Sequence, residues 1–199
     1  MRGITENGSW SVAVYDNDYK DFIESASTGF TPTGLLRFEF QNLESVNIKG
    51  VEFQSSFDIN ENFAATFGVN SSSGKQKTAK LTTIDPDQAI LGLLWSSPSG
   101  KLTLDTYIKA TDEGPQGLPP SCGRSGCVKA LELSGHVLLE TYLGYEINEN
   151  LSLRLGIRNM TDEKYWDWTS VAGTSETASE LDYFLNPGRN YSLSFKLTF

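Results

Sequence analysis

Few residues in this 199-residue chain could do chemistry, and they lie far apart. The only two cysteines, Cys122 and Cys127, flank Gly123-Arg124-Ser125-Gly126. Two thiols at that spacing can close a disulfide over a small loop tip or supply half of a metal site. A structural zinc usually takes four ligands, and no others cluster nearby. His136 is the only histidine, so Ser-His-Asp chemistry has little to work with. The stretch 68–76 has the look of a phosphate loop, but five residues rather than four separate Gly68 from Gly74. Gln76 also stands where a Ser or Thr would hold magnesium. No serine-nucleophile elbow or zinc-protease helix signature is present. The residues do not read as an enzyme, and no cofactor or metal site is assigned.

The elements that must position these residues are strands. The final stretch, Tyr191-Ser192-Leu193-Ser194-Phe195-Lys196-Leu197-Thr198-Phe199, puts an apolar residue at every odd position and a polar one at every even position. Successive side chains of a strand point to opposite faces, so this segment has one greasy face and one wet face. Only 38% of residues are hydrophobic, and no run of about 18 apolar residues exists to form a membrane helix. A barrel strand needs only alternate apolar residues, so this composition is compatible with a membrane barrel. A net charge of -9 argues against a nucleic-acid partner, because phosphate binding needs a basic surface.

The same beat predicts an all-β chain of about eight strands, roughly 9–25, 35–58, 62–73, 88–97, 101–111, 133–147, 150–159 and the last residues. In the second strand the beat slips near 43–47, where a bulge is expected. Tight connections at Asn60-Glu61-Asn62, Ser97-Pro98-Ser99-Gly100 and Asn148-Glu149-Asn150 alternate with longer loops, roughly 26–34, 74–87, 112–132 and 160–188. Short and long connections taking turns fit an antiparallel up-and-down transmembrane β-barrel wall with its larger apolar residues facing lipid. Asp105, Lys109, Glu140, Glu146, Arg154, Arg158 and Lys196 fall on the other face. Charges this dense cannot pack a small closed core without partners, but they can line a wet lumen. Trp10, Phe57, Phe63, Trp95, Tyr145 and Phe199 fall at the short-turn rim, where a girdle of interfacial aromatics is expected. Scattered core aromatics are the plainer alternative.

Several segments resemble the barrels of TonB-dependent outer-membrane receptors. Leu151-Ser152-Leu153-Arg154-Leu155-Gly156-Ile157-Arg158-Asn159-Met160-Thr161-Asp162-Glu163-Lys164-Tyr165-Trp166 resembles the family's penultimate strand. That strand ends in Asn, an apolar residue, a small polar residue, Asp and then Lys-Tyr. Pro187-Gly188-Arg189-Asn190-Tyr191, running into an alternating strand that ends in Phe, resembles the family's last strand. Asn47-Ile48-Lys49-Gly50-Val51-Glu52 resembles a recurrent one. Tyr19-Lys20-Asp21-Phe22-Ile23-Glu24, and Ile84-Asp85-Pro86 ahead of Leu91-Gly92-Leu93, are similar to segments of the branch that takes up haem from haemoglobin or a haemophore.

The resemblance implies that residues 1–199 are the C-terminal part of such a barrel in the bacterial outer membrane. It implies the lipid bilayer as surroundings and haem, or a siderophore-like metal complex, as cargo. The family's plug domain, its other barrel strands, the segment that contacts TonB and the haem-binding histidines would then lie upstream of Met1. Met1-Arg2-Gly3-Ile4-Thr5-Glu6-Asn7 carries no signal-peptide pattern; an outer-membrane protein needs one, so a fragment is expected. A stand-alone small outer-membrane barrel with a structural or adhesion role is the second possibility, since eight strands can close. A soluble lipocalin-like binder is the third.

In such a membrane the loop cysteines would pass an oxidising compartment, so the resemblance favours a Cys122–Cys127 disulfide. His136, toward the extracellular end of its strand, could ligate haem, although an ordinary lumen residue is the favoured expectation. Tyr165, Trp166 and Trp168 open the last long loop. They are expected to anchor the outer lipid interface, with contact to flat aromatic cargo as the alternative. No residue is assigned to cargo binding.

Overall fold

A computed structural model describes residues 1–30, 36–76, 79–81, 84–116, 121–123, 126–172 and 174–198. Within them run β1 (Arg2–Thr5), β2 (Gly8–Phe30), β3 (Leu36–Asn60), β4 (Phe63–Gln76), β5 (Ala79–Lys80), β6 (Gln88–Ser96), β7 (Leu102–Thr111), β8 (Ser121–Gly123), β9 (Gly126–Val128), β10 (His136–Asn148), β11 (Leu151–Arg158) and β12 (Asn190–Leu197). One helical turn, α1 (Trp168–Val171), and one 3-10 turn, η1 (Leu181–Phe184), sit between β11 and β12. The wall is β1-β2-β3-β4-β6-β7-β10-β11-β12, each strand pairing antiparallel with the next. β5 hooks onto β4, and β8 and β9 form a separate ribbon.

All eight strands legible in the pattern are present, and β1 adds a ninth to the wall. Its four residues, Arg-Gly-Ile-Thr, are too few for a period to register. β2 and β3 also run further than their pattern suggests, with pairing as far as Phe30↔Leu36. Residues 26–30, the start of the Ser- and Gly-containing stretch that reads as a loop over 26–34, therefore belong to the ladder.

The short turns share one end of the wall, and asparagine builds two of them. Asn60 Oδ1 accepts the Asn62 and Phe63 N–H groups at 2.9 and 3.0 Å. Asn148 Oδ1 accepts the Asn150 N–H at 2.9 Å. A side-chain carbonyl two residues before an N–H imitates a backbone turn, which is why this residue type marks these corners. At Ser97–Gly100, Gly100 takes φ 72°, a value glycine adopts without steric cost.

Residues opposite one another in an antiparallel pair share a face, so the register fixes the sidedness. Leu153↔Phe195, Leu155↔Leu193 and Ile157↔Tyr191 form rows on one face, while Arg154↔Ser194 and Ser152↔Lys196 lie on the other. Trp10, Phe57, Phe63, Trp95 and Tyr145 all belong to the apolar face near the short turns, and Phe63 pairs directly with Trp95. Phe199 lies outside the described residues. The apolar rows are open to the surroundings: Phe195 is 67% exposed, and Leu193, Leu197, Leu91 and Phe67 are exposed with it. Among the described residues the buried apolar side chains are Val46, Leu81, Ala130, Leu133, Leu138, Trp168 and Val171. None belongs to the outward rows. Contiguous apolar surface on this scale needs a non-aqueous neighbour, and alternation with closed ladders is how strands meet lipid.

The slip of the beat in β3 is a change of solvent, and no bulge lies at 43–47. One register holds from Gly8↔Phe57 through Lys20↔Ser45 to Phe22↔Leu43, with Asp21 at φ 56° between the last two pairs. The face that carries Val14 and Val51 turns polar at the next pair. Lys49 Nζ meets Asp16 at 2.9 Å, and Asn47 Nδ2 donates to Asp16 at 2.6 Å and to Asp18 at 2.8 Å. The inner face turns apolar at the same height, with Val46 buried against Leu81 and flanked by Ile48 and Ile84. Above the hydrocarbon the outer face meets water and the inner face packs on a folded-back loop.

This sidedness sets the cost of a charge. Phe195→Arg should destabilise the inserted barrel by about 2–4 kcal/mol, the range for a cation on the lipid face near the midplane. Ser194→Arg, on the lumen face of the same strand, should be close to neutral. Unfolding free energies in lipid vesicles check this, and equal values for the two variants would sink the assignment of faces.

Candidate functional site

The lumen face of β7, β10 and β11 carries one connected polar network. Lys109 Nζ and the Tyr142 hydroxyl both donate to Glu140 Oε2, each at 2.9 Å. The Tyr142 oxygen in turn accepts the Arg158 Nε–H at 3.3 Å. Arg154 pairs with Asp105 at 3.3 Å and lies over the Tyr142 ring at 5.0 Å. The Tyr107 and Tyr142 rings meet edge-on at 6.2 Å. Tyr142 can lie flat along the wall because its neighbour is Gly156, where a Cβ would come within 2.8 Å of the ring. Glu140 is only 8% exposed, and a carboxylate that far from water needs such partners. Of the charges predicted for the lumen, Asp105, Lys109, Glu140, Arg154 and Arg158 thus join one network, while Arg154 and Lys109 stay partly open to solvent.

At the long-loop end, residues 129–133 and the described residues of 166–181 form one packed block. Leu133, Trp168 and Val171 are its buried core, with Leu131, Trp166 and Leu181 against them. Trp166 Nε1 donates to the Leu181 carbonyl at 2.9 Å. The Leu131 N–H donates to Thr174 O, and Ala130 pairs with Ser175 as an isolated bridge. Lys129 joins the two segments electrostatically, 3.1 Å from Glu132 and 4.0 Å from Glu176. The β8–β9 ribbon lies in the same loop, with Cys122 opposite Cys127 in register. Cys127 is disulfide-bonded, whereas the Cys122 side chain lies outside the described residues.

The base of the last loop is closed by its sequence motif. Asn159, 3% exposed and at φ 49°, receives the Glu163 N–H on Oδ1 and donates through Nδ2 to Glu163 O, both at 2.8 Å. The same Nδ2 reaches Pro187 O at 3.4 Å. Asp162, at φ 59°, accepts the Arg189 N–H at 2.7 Å, and Arg189 Nε returns to Met160 O at 2.9 Å. Asn and Asp tolerate the left-handed region better than other non-glycine residues. Asn159-Met160-Thr161-Asp162 and Pro187-Gly188-Arg189 are therefore two halves of one clamp.

Three aromatics depart from their expected place. Trp168 is 3% exposed in the loop core and Trp166 packs onto it, so neither lines a lipid interface. Their indoles fill the space between the two long loops, together with Leu131, Leu133, Val171 and Leu181. Tyr165 turns to the lumen and stacks on His136, ring centres 4.5 Å apart and planes 30° apart. Burial first, then the Asp167 and Glu140 carboxylates, push the Tyr165 phenol up, so it stays protonated. His136 and Tyr165 border a cavity of about 570 Å³ with Gln88, Lys109, Thr111 and Asp167. Neither Tyr142 nor Asn159 stands out in the sequence as a structural hub; only the resemblance to a family motif marks Asn159.

This geometry defines a wall segment of an outer-membrane β-barrel with a charged lumen and packed outer loops. A family model for the TonB dependent receptor-like β-barrel matches residues 3–160. The chain belongs to that family, whose members are receptors and transporters of the bacterial outer membrane. It is 26% identical over 96% of its length to a probable hemoglobin and hemoglobin-haptoglobin-binding protein 4 of Haemophilus influenzae. It is 24% identical over 95% of its length to a hemoglobin and hemoglobin-haptoglobin-binding protein of Haemophilus ducreyi. The alignments span only 22% and 24% of those relatives. The structure of the copper transporter OprC superposes on the whole chain with a TM-score of 0.81 at 17% identity, over 30% of that protein.

The loop block makes a separable prediction. Trp168→Ala should cost the block about 3–5 kcal/mol, the usual range for emptying a buried Trp site. Protease added to intact cells should then cut between 112 and 189 faster than in the parent. The wall should keep its heat-modifiable band on gels, since none of its ladder depends on the indole. Unchanged cleavage would place Trp168 outside the element that holds the loops.

Proposed function

We propose that residues 1–199 are the C-terminal part of the barrel wall of a TonB-dependent transporter that takes up haem, or a siderophore-like metal complex. The observation that carries this is the open wall. Nine strands run in order from β1 to β12, and no pairing between these two closes the sheet among the described residues. A stand-alone small barrel would need that seam, because an unpaired edge in hydrocarbon costs several kcal/mol per exposed backbone group. A plug domain and further strands would complete the cylinder, and TonB would act through the missing N-terminal part. The relatives' names favour haem drawn from haemoglobin over other cargo. Trp10, Phe57, Phe63, Trp95, Tyr145 and Phe199 would mark the periplasmic lipid interface, and a Cys122–Cys127 disulfide would pin the tip of the loop over 112–132.

The test is growth of a bacterium lacking other haem uptake, with haemoglobin as sole iron source. The full-length receptor should support growth. Excising residues 112–132 should abolish it while the folded barrel stays at its normal level in the outer membrane. Equal growth with and without that loop, or none with the parent, would overturn the proposal. Alkylation of the same membranes without reductant should leave both cysteines unlabelled, and labelling of either would remove the disulfide.

A further inference from the structure

We propose that the turn η1, on the last long loop, is a docking point for a cationic patch of the haem-carrying protein; this rests on the haem reading above and names the surface that meets the protein source. Tyr183 is 87% exposed, the most exposed aromatic among the described residues, and Phe184 beside it is 43% exposed. The turn that carries them is fastened at both ends. Trp166 Nε1 donates to the Leu181 carbonyl at 2.9 Å, and the Leu181 side chain packs on the loop core around Trp168. The Asn186 N–H donates to Tyr165 O at 3.1 Å. A 3-10 turn has about three residues per turn, so residues three apart share a side. With Leu181 turned inward, Asp182 and Tyr183 point away from the core, and Glu180 falls on the side of Tyr183. The Tyr183 N–H closes the turn on Glu180 O at 3.0 Å. The aromatic is thus presented by a fixed backbone, and a tyrosine has few rotamers to lose on binding.

Charge decides the class of partner. Between Lys164 and Arg189 the sequence carries four carboxylates, Asp167, Glu176, Glu180 and Asp182, and no basic residue. Glu180 and Asp182 flank Tyr183 and are exposed, as is Glu176. Ser179 Oγ donates to Glu180 Oε2 at 3.1 Å, and Lys129 lies 4.0 Å from Glu176. An aromatic centre with an acidic rim has the anatomy of a protein interface. The desolvated Tyr supplies affinity, and the rim charges steer a partner of opposite sign. A small flat molecule is disfavoured, because such ligands bind in concave sites that bury most of their surface, and an 87% exposed ring encloses nothing. A lipid surface is disfavoured too. Aromatic rings do collect at membrane interfaces, but anionic headgroups attract basic residues and repel a rim of carboxylates.

The test uses cells displaying the complete receptor, with haemoglobin and free haemin as probes. Tyr183→Ala should weaken haemoglobin binding by about tenfold, the scale of an interface anchor. Tyr183→Phe, which keeps the ring, should recover most of that loss. Glu176→Gln, Glu180→Gln and Asp182→Asn combined should slow haemoglobin association by about tenfold at low salt and flatten its salt dependence. Growth on free haemin and the heat-modifiable folded band should match the parent for every variant, since the replaced side chains are exposed. Equal haemoglobin affinity for the parent and Tyr183→Ala would overturn the docking point while leaving haemoglobin as the source of cargo. A weaker folded band with unchanged affinity per folded receptor would move the turn to the lipid interface and overturn it as well. A parent that uses haemin but binds no haemoglobin would remove the docking point alone, and a parent that uses neither would remove the haem reading with it.

Discussion

The constraint on which the rest of this structure depends is that a backbone crossing hydrocarbon can leave no N–H or C=O unpaired. The wall meets it by the simplest route, each strand pairing with the one before and the one after in chain order. Sequence-adjacent pairing needs only tight corners on one side, and Asn60, Asn148 and Gly100 supply them. Polar groups on the lipid face are matched too: Thr106 and Thr141 meet across the β7–β10 pair at 3.1 Å, and Thr141 also reaches Asp105 O. Once the ladder is fixed, the period of two decides everything about sidedness. Lipid takes one row of side chains and water the other.

That is why so much of the wall is legible in the residues. Leu193, Phe195 and Leu197 alternating with Ser194 and Lys196 specify both a strand and its orientation, because a slip of one residue would put lysine into lipid. The pattern misleads where the surroundings change along one strand. At Asp16 and Lys49 the outer face passes from lipid to water, and at Val46 the inner face passes from water to a loop core. A beat that exchanges faces looks the same in a sequence as an inserted residue, and only the register separates them. Trp168 misleads for a related reason. A tryptophan in a loop beyond a strand end is equally suited to a lipid headgroup layer and to the core of a loop, and the choice rests on Leu133, which is distant in sequence, as well as on the nearby Val171.

The loop base shows what a family motif can hold without touching cargo. Asn159 and Asp162 share a rare backbone conformation, and each spends its side chain on the return strand of the same loop. A loop of nearly thirty residues would otherwise cost closure entropy at its neck, where β11 and β12 must stay in register. Hydrogen bonds from Asn159 to Pro187, from Arg189 to Asp162 and from Arg189 to Met160 close that neck within a few residues of the wall. The residues beyond it are then free to differ in sequence and shape. The motif is legible because its chemistry is local; the contents of the loop are not, because their packing partner is another loop.

Wall and loops are therefore stabilised by different means. The wall depends on ladders and lipid. The loop block depends on a small water-excluding core around Trp168 and on a handful of backbone bonds between 129–133 and 174–176. Opening that block would break a few bonds and expose one indole, without unpairing any strand of the ten-stranded sheet. His136 and Tyr165 stand at the junction, one on the wall and one on the loop, joined by ring stacking alone. A stacked pair is worth about 0.5–1.5 kcal/mol beyond its buried area, a modest tie between loop and wall.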